Sequence, residues 1–396
     1  MKVLLLMDRL LVGGKGTGKE HIHHNLIRAH VENGYDTAVV LLKKTNADEA
    51  YKECKKIGAT YIRPGFGFSP RILIFCIANR ILDKDILRSY CHYSKIISGV
   101  EKHIKGNGKP DVITVSSLKL NANGILVKLL STHFQVPFVY WEHRSHYQRG
   151  KITHRKLKNI TDVLTAANLV LTVSPQLARS IKQVTKKEYP FIQTMPNPVK
   201  EEFFSNTSQR CDFVKEFSQN RFVFAGWENW QRAVKRLDIA LEAFSIAQKK
   251  YSQICLILAG SYPDWAEDMV DKLDLKNSVL FTGKMTHSDI VKFVYSIDCC
   301  VITSDHETFG LPAAEALAAG KPVVTTECGG PESIVSDISL GRTVKKGDAN
   351  EFARAMLEVV ENKDTFNPEK ISLSCRKKYS EEAFRKKWLD VYQRYL

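Results

Sequence analysis

Cys299-Cys300-Val301-Ile302-Thr303, running on as Ser304-Asp305-His306-Glu307-Thr308-Phe309-Gly310-Leu311-Pro312-Ala313-Ala314-Glu315-Ala316-Leu317-Ala318-Ala319-Gly320-Lys321-Pro322, reads as a buried strand, a loop and a helix. Pro312 falls in the first turn of that helix, where a missing N–H costs nothing. The helix is alanine-rich and stops at Gly320, a natural C-terminal cap. Its free N–H groups near Gly310 and Leu311 form an anion site at the carboxyl end of a strand, where α/β sheets bind ligands. Glu307 lies just before the helix and Glu315 one turn inside it. Two carboxylates bracketing an anion site suit a ligand with both phosphates and hydroxyls, such as a nucleotide sugar.

The same alternation extends along the whole chain. Strands are expected at 3–7, 37–42, 112–115, 138–141 and 169–173, and again at 222–225, 255–259, 279–281, 299–303 and 322–325. Helical stretches lie between them, which argues for parallel sheets covered by helices. Met195-Pro196-Asn197-Pro198 can continue neither structure, because prolines remove donors and fix φ. The hinge is placed there. Phe384, Trp388, Leu389, Tyr392 and Leu396 recur at helical spacing and predict a packing helix over 379–396.

At 396 residues, 44% hydrophobic and 26% charged, the chain is globular and long enough for two domains. The nine cysteines are odd in number and include no C-x-x-C, so they read as reduced buried thiols of a cytosolic protein. MKVLLLMDRL reads as a first strand and not a signal peptide. Charge is uneven: residues 1–200 hold 32 Lys+Arg against 14 Asp+Glu, and residues 201–396 hold 26 against 29. The basic half is expected to meet something anionic: nucleic acid, a membrane surface or a phosphorylated substrate.

The E-x7-E pair, with Phe-Gly-Leu-Pro after Glu307 and small residues after Glu315, resembles the signature of retaining glycosyltransferases of family four. The similarity runs over nearly the whole chain. Val279-Leu280-Phe281-Thr282-Gly283-Lys284 resembles the strand and loop that hold the nucleotide base. Cys328-Gly329-Gly330-Pro331-Glu332 resembles the family's Gly-Gly loop, and Val173-Ser174 followed by Pro196-Asn197-Pro198 its interdomain stretch. The resemblance implies the GT-B fold, α/β with two Rossmann-like parallel-sheet domains facing a cleft. It divides the chain into an acceptor domain over 1–198, a donor domain over 199–378 and a helix over 379–396 that returns to the first domain.

It also implies roles for particular residues. Family members neutralise the departing diphosphate with an Arg and a Lys after the first strand of the second domain, together with backbone amides. Lys235 matches the Lys, but Trp227 stands where the Arg belongs; Arg232 is the candidate replacement. Gly13 and Gly14 match a pair that faces the donor phosphates. Gly283, Lys284, Thr308, Phe309, Gly310, Leu311 and Glu315 fall on the donor-binding segments, with Glu315 on the ribose diol and Glu307 on the sugar hydroxyls. Thr308 replaces a commoner Gly, so sugar preference does not carry over. His143, at the end of an expected strand, matches a functional His near the transferred sugar, with His146 as the spare. The implied reaction is transfer from a UDP- or GDP-sugar to a hydroxyl of a glycan or lipid-phosphate-linked acceptor in surface polysaccharide or glycoconjugate synthesis. It retains anomeric configuration and uses no metal or other cofactor, and the two domains close about the Pro196–Pro198 region.

Other signals are set lower. Gly13 to Lys19 is nearly a P-loop, but Glu20 stands where Mg²⁺ binding needs Ser or Thr. His21, His23 and His24 read as a solvated helix start, and Asp83-Lys84-Asp85 as surface. Arg71–Leu82 interleaves apolar and basic residues, and basic residues recur to Lys105. Core packing is the preferred reading of this stretch. The charge of the half leads to an expectation of a peripheral place on an anionic inner membrane face. A P-loop nucleotide hydrolase, a nucleic-acid-binding protein and a GT-B epimerase or phosphorylase remain the alternatives; the leading reading has no nucleic-acid partner.

Overall fold

The computed structural model describes residues 1–8, 10, 18–42, 46–65, 86–116, 123–150, 152–205 and 210–395. Gly13 and Gly14, most of the Gly13–Lys19 stretch, the 71–82 run and the Asp83–Asp85 triplet lie outside them. The chain forms two compact units. The first comprises Met1–Val173, Ala178–Met195 and Phe384–Leu396, and the second Ser174–Leu177 and Pro196–Ala383.

The first unit is built on β1 (Lys2–Met7), β2 (Asp36–Leu41), β3 (Thr60–Tyr61), β4 (Val112–Ser116), β5 (Phe138–Glu142), β6 (Leu169–Thr172) and β7 (Ile192–Thr194). They pair in the order β3-β2-β1-β4-β5-β6-β7, every pair parallel. The second unit has β8 (Phe222–Trp227), β9 (Ile254–Ala259), β10 (Val279–Gly283), β11 (Cys299–Ile302), β12 (Val323–Thr326) and β13 (Gly341–Val344). Their order is β10-β9-β8-β11-β12-β13, again all parallel. Helices bury both faces of such sheets. That is why β9 and β11, Ile-Cys-Leu-Ile-Leu-Ala and Cys-Cys-Val-Ile, are apolar throughout and buried at every position. In both sheets the order of strand addition reverses between two central parallel strands, β1/β4 and β8/β11, and such switch points are where α/β sheets bind ligands.

Three strands were not expected from the sequence: β3, β7 and β13. Each lies at an edge of its sheet and is only partly buried, so none shows a continuous apolar run. Strand limits elsewhere differ from expectation by one or two residues.

The last helix is Glu381–Tyr395, and Pro368–Tyr379 forms a separate helix before it. Phe384, Trp388, Val391 and Tyr392 are its buried positions; Leu389 is half-buried. Trp388 lies 5.0 Å from the His30 ring and 5.7 Å from Trp141, and the Tyr392 hydroxyl is 2.7 Å from His30 Nε2. His23 is fully buried, which corrects the expectation of a solvated helix start: its helix, Gly18–Glu32, packs this face inward. Free buried thiols are found at Cys54, Cys255, Cys299, Cys300, Cys328 and Cys375, whereas Cys211 is partly exposed at a helix start. The helix Ile86–Asn107 buries Tyr93, Ile96, Ile97 and Val100 and leaves Lys95, Lys102 and Lys105 in solvent. Among the described residues no helix is long and apolar enough to cross a membrane.

Candidate active site

The β8/β11 switch point gathers the site of the second unit. After β8 the chain makes a short 3-10 turn, Ala233–Lys235, and Arg236 follows with φ +51°, an unusual backbone for a side-chain-bearing residue. Two neighbours hold that turn. Thr303 Oγ1 lies 2.9 Å from the Lys235 carbonyl, and the Asp305 amide donates to the Val234 carbonyl at 2.8 Å. The Arg236 guanidinium reaches Asp238 at 2.8 Å and Asp305 at 3.2 Å. The loop after β8 is thus pinned to the loop after β11.

Glu307 is fixed through its backbone. Its amide donates to the Cys328 carbonyl at 2.8 Å, and the Gly330 amide donates to the Glu307 carbonyl at 3.0 Å. Gly330 is needed for this approach: a Cβ there would sit 2.2 Å from the Phe309 carbonyl oxygen. Gly310 has φ +90° and caps the helix Leu311–Ala318, with Pro312 in its first turn. A side chain at Gly310 would also strike Pro331.

These constraints deliver the Lys235 ammonium to two carboxylates, Glu307 and Glu228, each bonded to it. Ser304 Oγ adds a hydrogen bond to Glu307 Oε1 at 3.3 Å. Burial pushes the Lys235 ammonium down, but the two carboxylates outweigh it and hold its pKa above the ordinary lysine value. Burial raises the Glu228 carboxyl to about 7; Lys235 opposes that shift and Glu307 adds to it. Glu228 Oε1 is buried with no hydrogen-bond partner among the described residues. Glu315 Oε2 accepts from Trp227 Nε1 at 2.7 Å. Burial raises the Glu315 carboxyl, with the Trp227 bond and the Lys200 charge pulling it back.

The other expected residues scatter. Arg232 is exposed, and no hydrogen bond joins its side chain to the Lys235 cluster among the described residues. The Phe309 ring is buried and meets Tyr379 edge-on at 5.7 Å; Thr308 is partly exposed. Gly283 ends β10 with φ +70°, its carbonyl bound by the Gly260 amide at 2.7 Å, and Lys284 is exposed. Beside it the Phe281 and Tyr262 rings stack at 4.2 Å, an aromatic surface at the carboxyl ends of β9 and β10. In the first unit, His143 follows β5 with its ring 4.2 Å from Trp141 and its Nε2 3.5 Å from Ser116 Oγ. His146 is held below the ordinary histidine value, at about 4, by burial and by Lys156 and Arg144. Among the described residues no group of three or more His, Cys, Asp or Glu could hold a metal ion.

Sequence reasoning overlooked Glu228, Trp227 and Tyr262 as functional candidates. An acidic residue directly after a tryptophan that replaces an expected arginine was the available signal for the first two.

Residues 215–382 match the family model described as glycosyl transferases group 1. An uncharacterized glycosyltransferase of Methanocaldococcus jannaschii is 27% identical over 173 residues, covering 42% of this chain and 44% of that protein. Alpha-1,3/1,6-mannosyltransferase ALG2 of Dictyostelium discoideum is 23% identical over 249 residues, 56% of this chain and 57% of that one. The chain thus spans about half the length of these curated relatives. Anabaena HepE in complex with UDP superposes with a TM-score of 0.74 at 17% identity, covering 99% of this chain and 100% of that one. TarM does so with a TM-score of 0.71 at 15% identity, covering 99% and 98%. The fold is GT-B, and the matches support a glycosyltransferase.

Proposed function

We propose that this chain is a retaining, metal-independent glycosyltransferase that moves a sugar from a UDP- or GDP-sugar to a hydroxyl of a glycan or lipid-linked acceptor. The observation that carries the reading is the convergence of Lys235, Glu307 and the amino end of the helix Leu311–Ala318 at a switch point of the unit that the family model matches. HepE, of the same fold, was solved with UDP, which favours a uridine nucleotide.

In this reading the bond between the sugar C1 and the β-phosphate oxygen breaks, and the acceptor oxygen bonds to C1. The acceptor proton passes to the departing phosphate. Lys235 and the amides near Gly310 and Leu311 neutralise the growing charge, as fixed donors do for an oxyanion. Glu307 holds sugar hydroxyls and Glu315 the ribose diol. The first unit takes the acceptor, with His143 its candidate for contact with the transferred sugar. The excess positive charge of residues 1–200 suits a lipid-phosphate acceptor on an anionic bilayer.

A thermal-shift panel of UDP, GDP and their sugar conjugates in EDTA tests the donor. Stabilisation by at least one is expected. Glu307→Ala should reduce transfer about 100- to 1,000-fold with the melting curve preserved. No stabilisation by any nucleotide, or transfer abolished by EDTA, would overturn the reading.

A further inference from the structure

The site just assigned to a diphosphate carries too little positive charge for one. Lys235 contributes one cation, while Glu228 and Glu307, both bonded to it, contribute two anions. Trp227 supplies a neutral N–H and spends it on Glu315, and Arg236 is engaged by Asp238 and Asp305. A diphosphate entering here meets a bonded cluster that is net negative; Arg232, the next cation acting on Glu228, is exposed, so water screens it. In a buried setting that repulsion is large, because little water screens it.

Glu228 is the group that can relieve it. The 3-10 turn that follows β8 faces it with Lys235 and, farther out, Arg232. The segment after β11 faces it with Glu307, and β11 itself with Cys300, whose thiol burial holds far above neutrality. At the end of β9 its backbone is held close: its amide donates to the Ala259 carbonyl at 3.0 Å, and a Cβ at Gly260, just after the strand, would lie 1.8 Å from the Glu228 carbonyl oxygen. Its own strand brings the uncharged Trp227. Among the described residues no second cation touches it and its Oε1 has no hydrogen-bond partner.

We infer that Glu228 takes up one proton from solvent when a diphosphate binds, freeing the Lys235 ammonium for the phosphate oxygens. The proton settles on the unpartnered oxygen and turns a repelling carboxylate into a hydrogen-bond donor. This rests on the proposed donor site. Glu228 is then a positioning residue: it sets when Lys235 is available, and it ties donor binding to pH. The high carboxyl pKa that burial imposes agrees with this but is not required for it.

Calorimetric titration of UDP and GDP into the full chain tests the inference. It is done at pH 8 in EDTA, in buffers of different protonation enthalpy, about two units above the roughly 6 of a terminal phosphate, so the ligand brings no proton of its own. Wild-type protein should take up about 0.5–1 proton per nucleotide, and its affinity should fall by up to about tenfold per pH unit above 7. Glu228→Gln should bind without proton uptake and with affinity flat from pH 7 to 8.5. Wild-type binding with no buffer dependence overturns the inference and leaves the donor site standing. Uptake that persists in Glu228→Gln overturns it too, because the proton then belongs to another group. If neither nucleotide binds the wild type, the donor site itself is wrong and the inference falls with it.

Discussion

Each unit has a glutamate with little solvent exposure at the carboxyl end of a parallel strand. Glu142 closes β5 in the first and Glu228 follows β8 in the second. Burial pushes both carboxyls upward. Their surroundings differ completely. Glu142 accepts from the His143 amide at 2.8 Å, the Arg144 amide at 2.9 Å, the Tyr147 hydroxyl at 2.8 Å and the Tyr140 hydroxyl at 3.2 Å. Glu228 has one shared ammonium and one oxygen that accepts from nothing among the described residues. A buried carboxylate ringed by donors is a structural post that shapes the loop carrying His143. A buried carboxylate left half satisfied is energy held in reserve at a site.

The sharpest way to break this contrast is to remove the cation. Lys235→Ala leaves Glu228 and Glu307 facing each other, and urea unfolding should show a loss of about 3–5 kcal/mol with transfer abolished. Adding Glu228→Gln should recover part of that stability. Glu142→Ala comes next: two tyrosine hydroxyls and two amides lose their acceptor, which should cost about 2–4 kcal/mol in the same assay. Glu142→Asp, which keeps the charge on a shorter arm, should cost less.

The third concerns His30, a buried ring in the first unit that is also satisfied, by the Leu26 carbonyl and the Tyr392 hydroxyl. Burial lowers its pKa to about 4, with the Leu26 bond opposing. A depressed value means the neutral ring is the folded form. Its contribution is complete above the ordinary 6.5 and disappears as pH falls toward 4, about 2 kcal/mol by pH 5. Trp388 fluorescence against pH should report that loss, and His30→Gln should remove it. The smallest effect is at Trp227→Phe. This takes the indole N–H from Glu315 while keeping an aromatic ring, and nucleotide affinity in calorimetric titration should drop about five- to tenfold.

Much of the second unit could be read from residue order. Gly310, Pro312 and Gly320 bound a helix by backbone rules that act within a few residues, and the structure places that helix at Leu311–Ala318. The buried strands β8, β9, β11 and β12 declared themselves by apolar runs. The edge strands β3, β7 and β13 did not, because an edge is packed on fewer sides and tolerates polar residues. The site was half visible. Glu307 and Glu315 stood out by their spacing around a helix start. Lys235 could be matched by resemblance, but nothing local showed it held between two carboxylates, and nothing marked Glu228 as one of them.

What residue order determined, then, is everything governed by neighbours along the chain: turn glycines, helix caps, the alternation of strand and helix, and the basic bias of residues 1–200. Only the tertiary structure decided which charges meet. Lys235 and Glu307 are 72 residues apart, and the crossover that places β8 beside β11 brings their loops together. Electrostatic energy depends on distance and burial in space, so the state of that ammonium and its two carboxylates belongs to the fold.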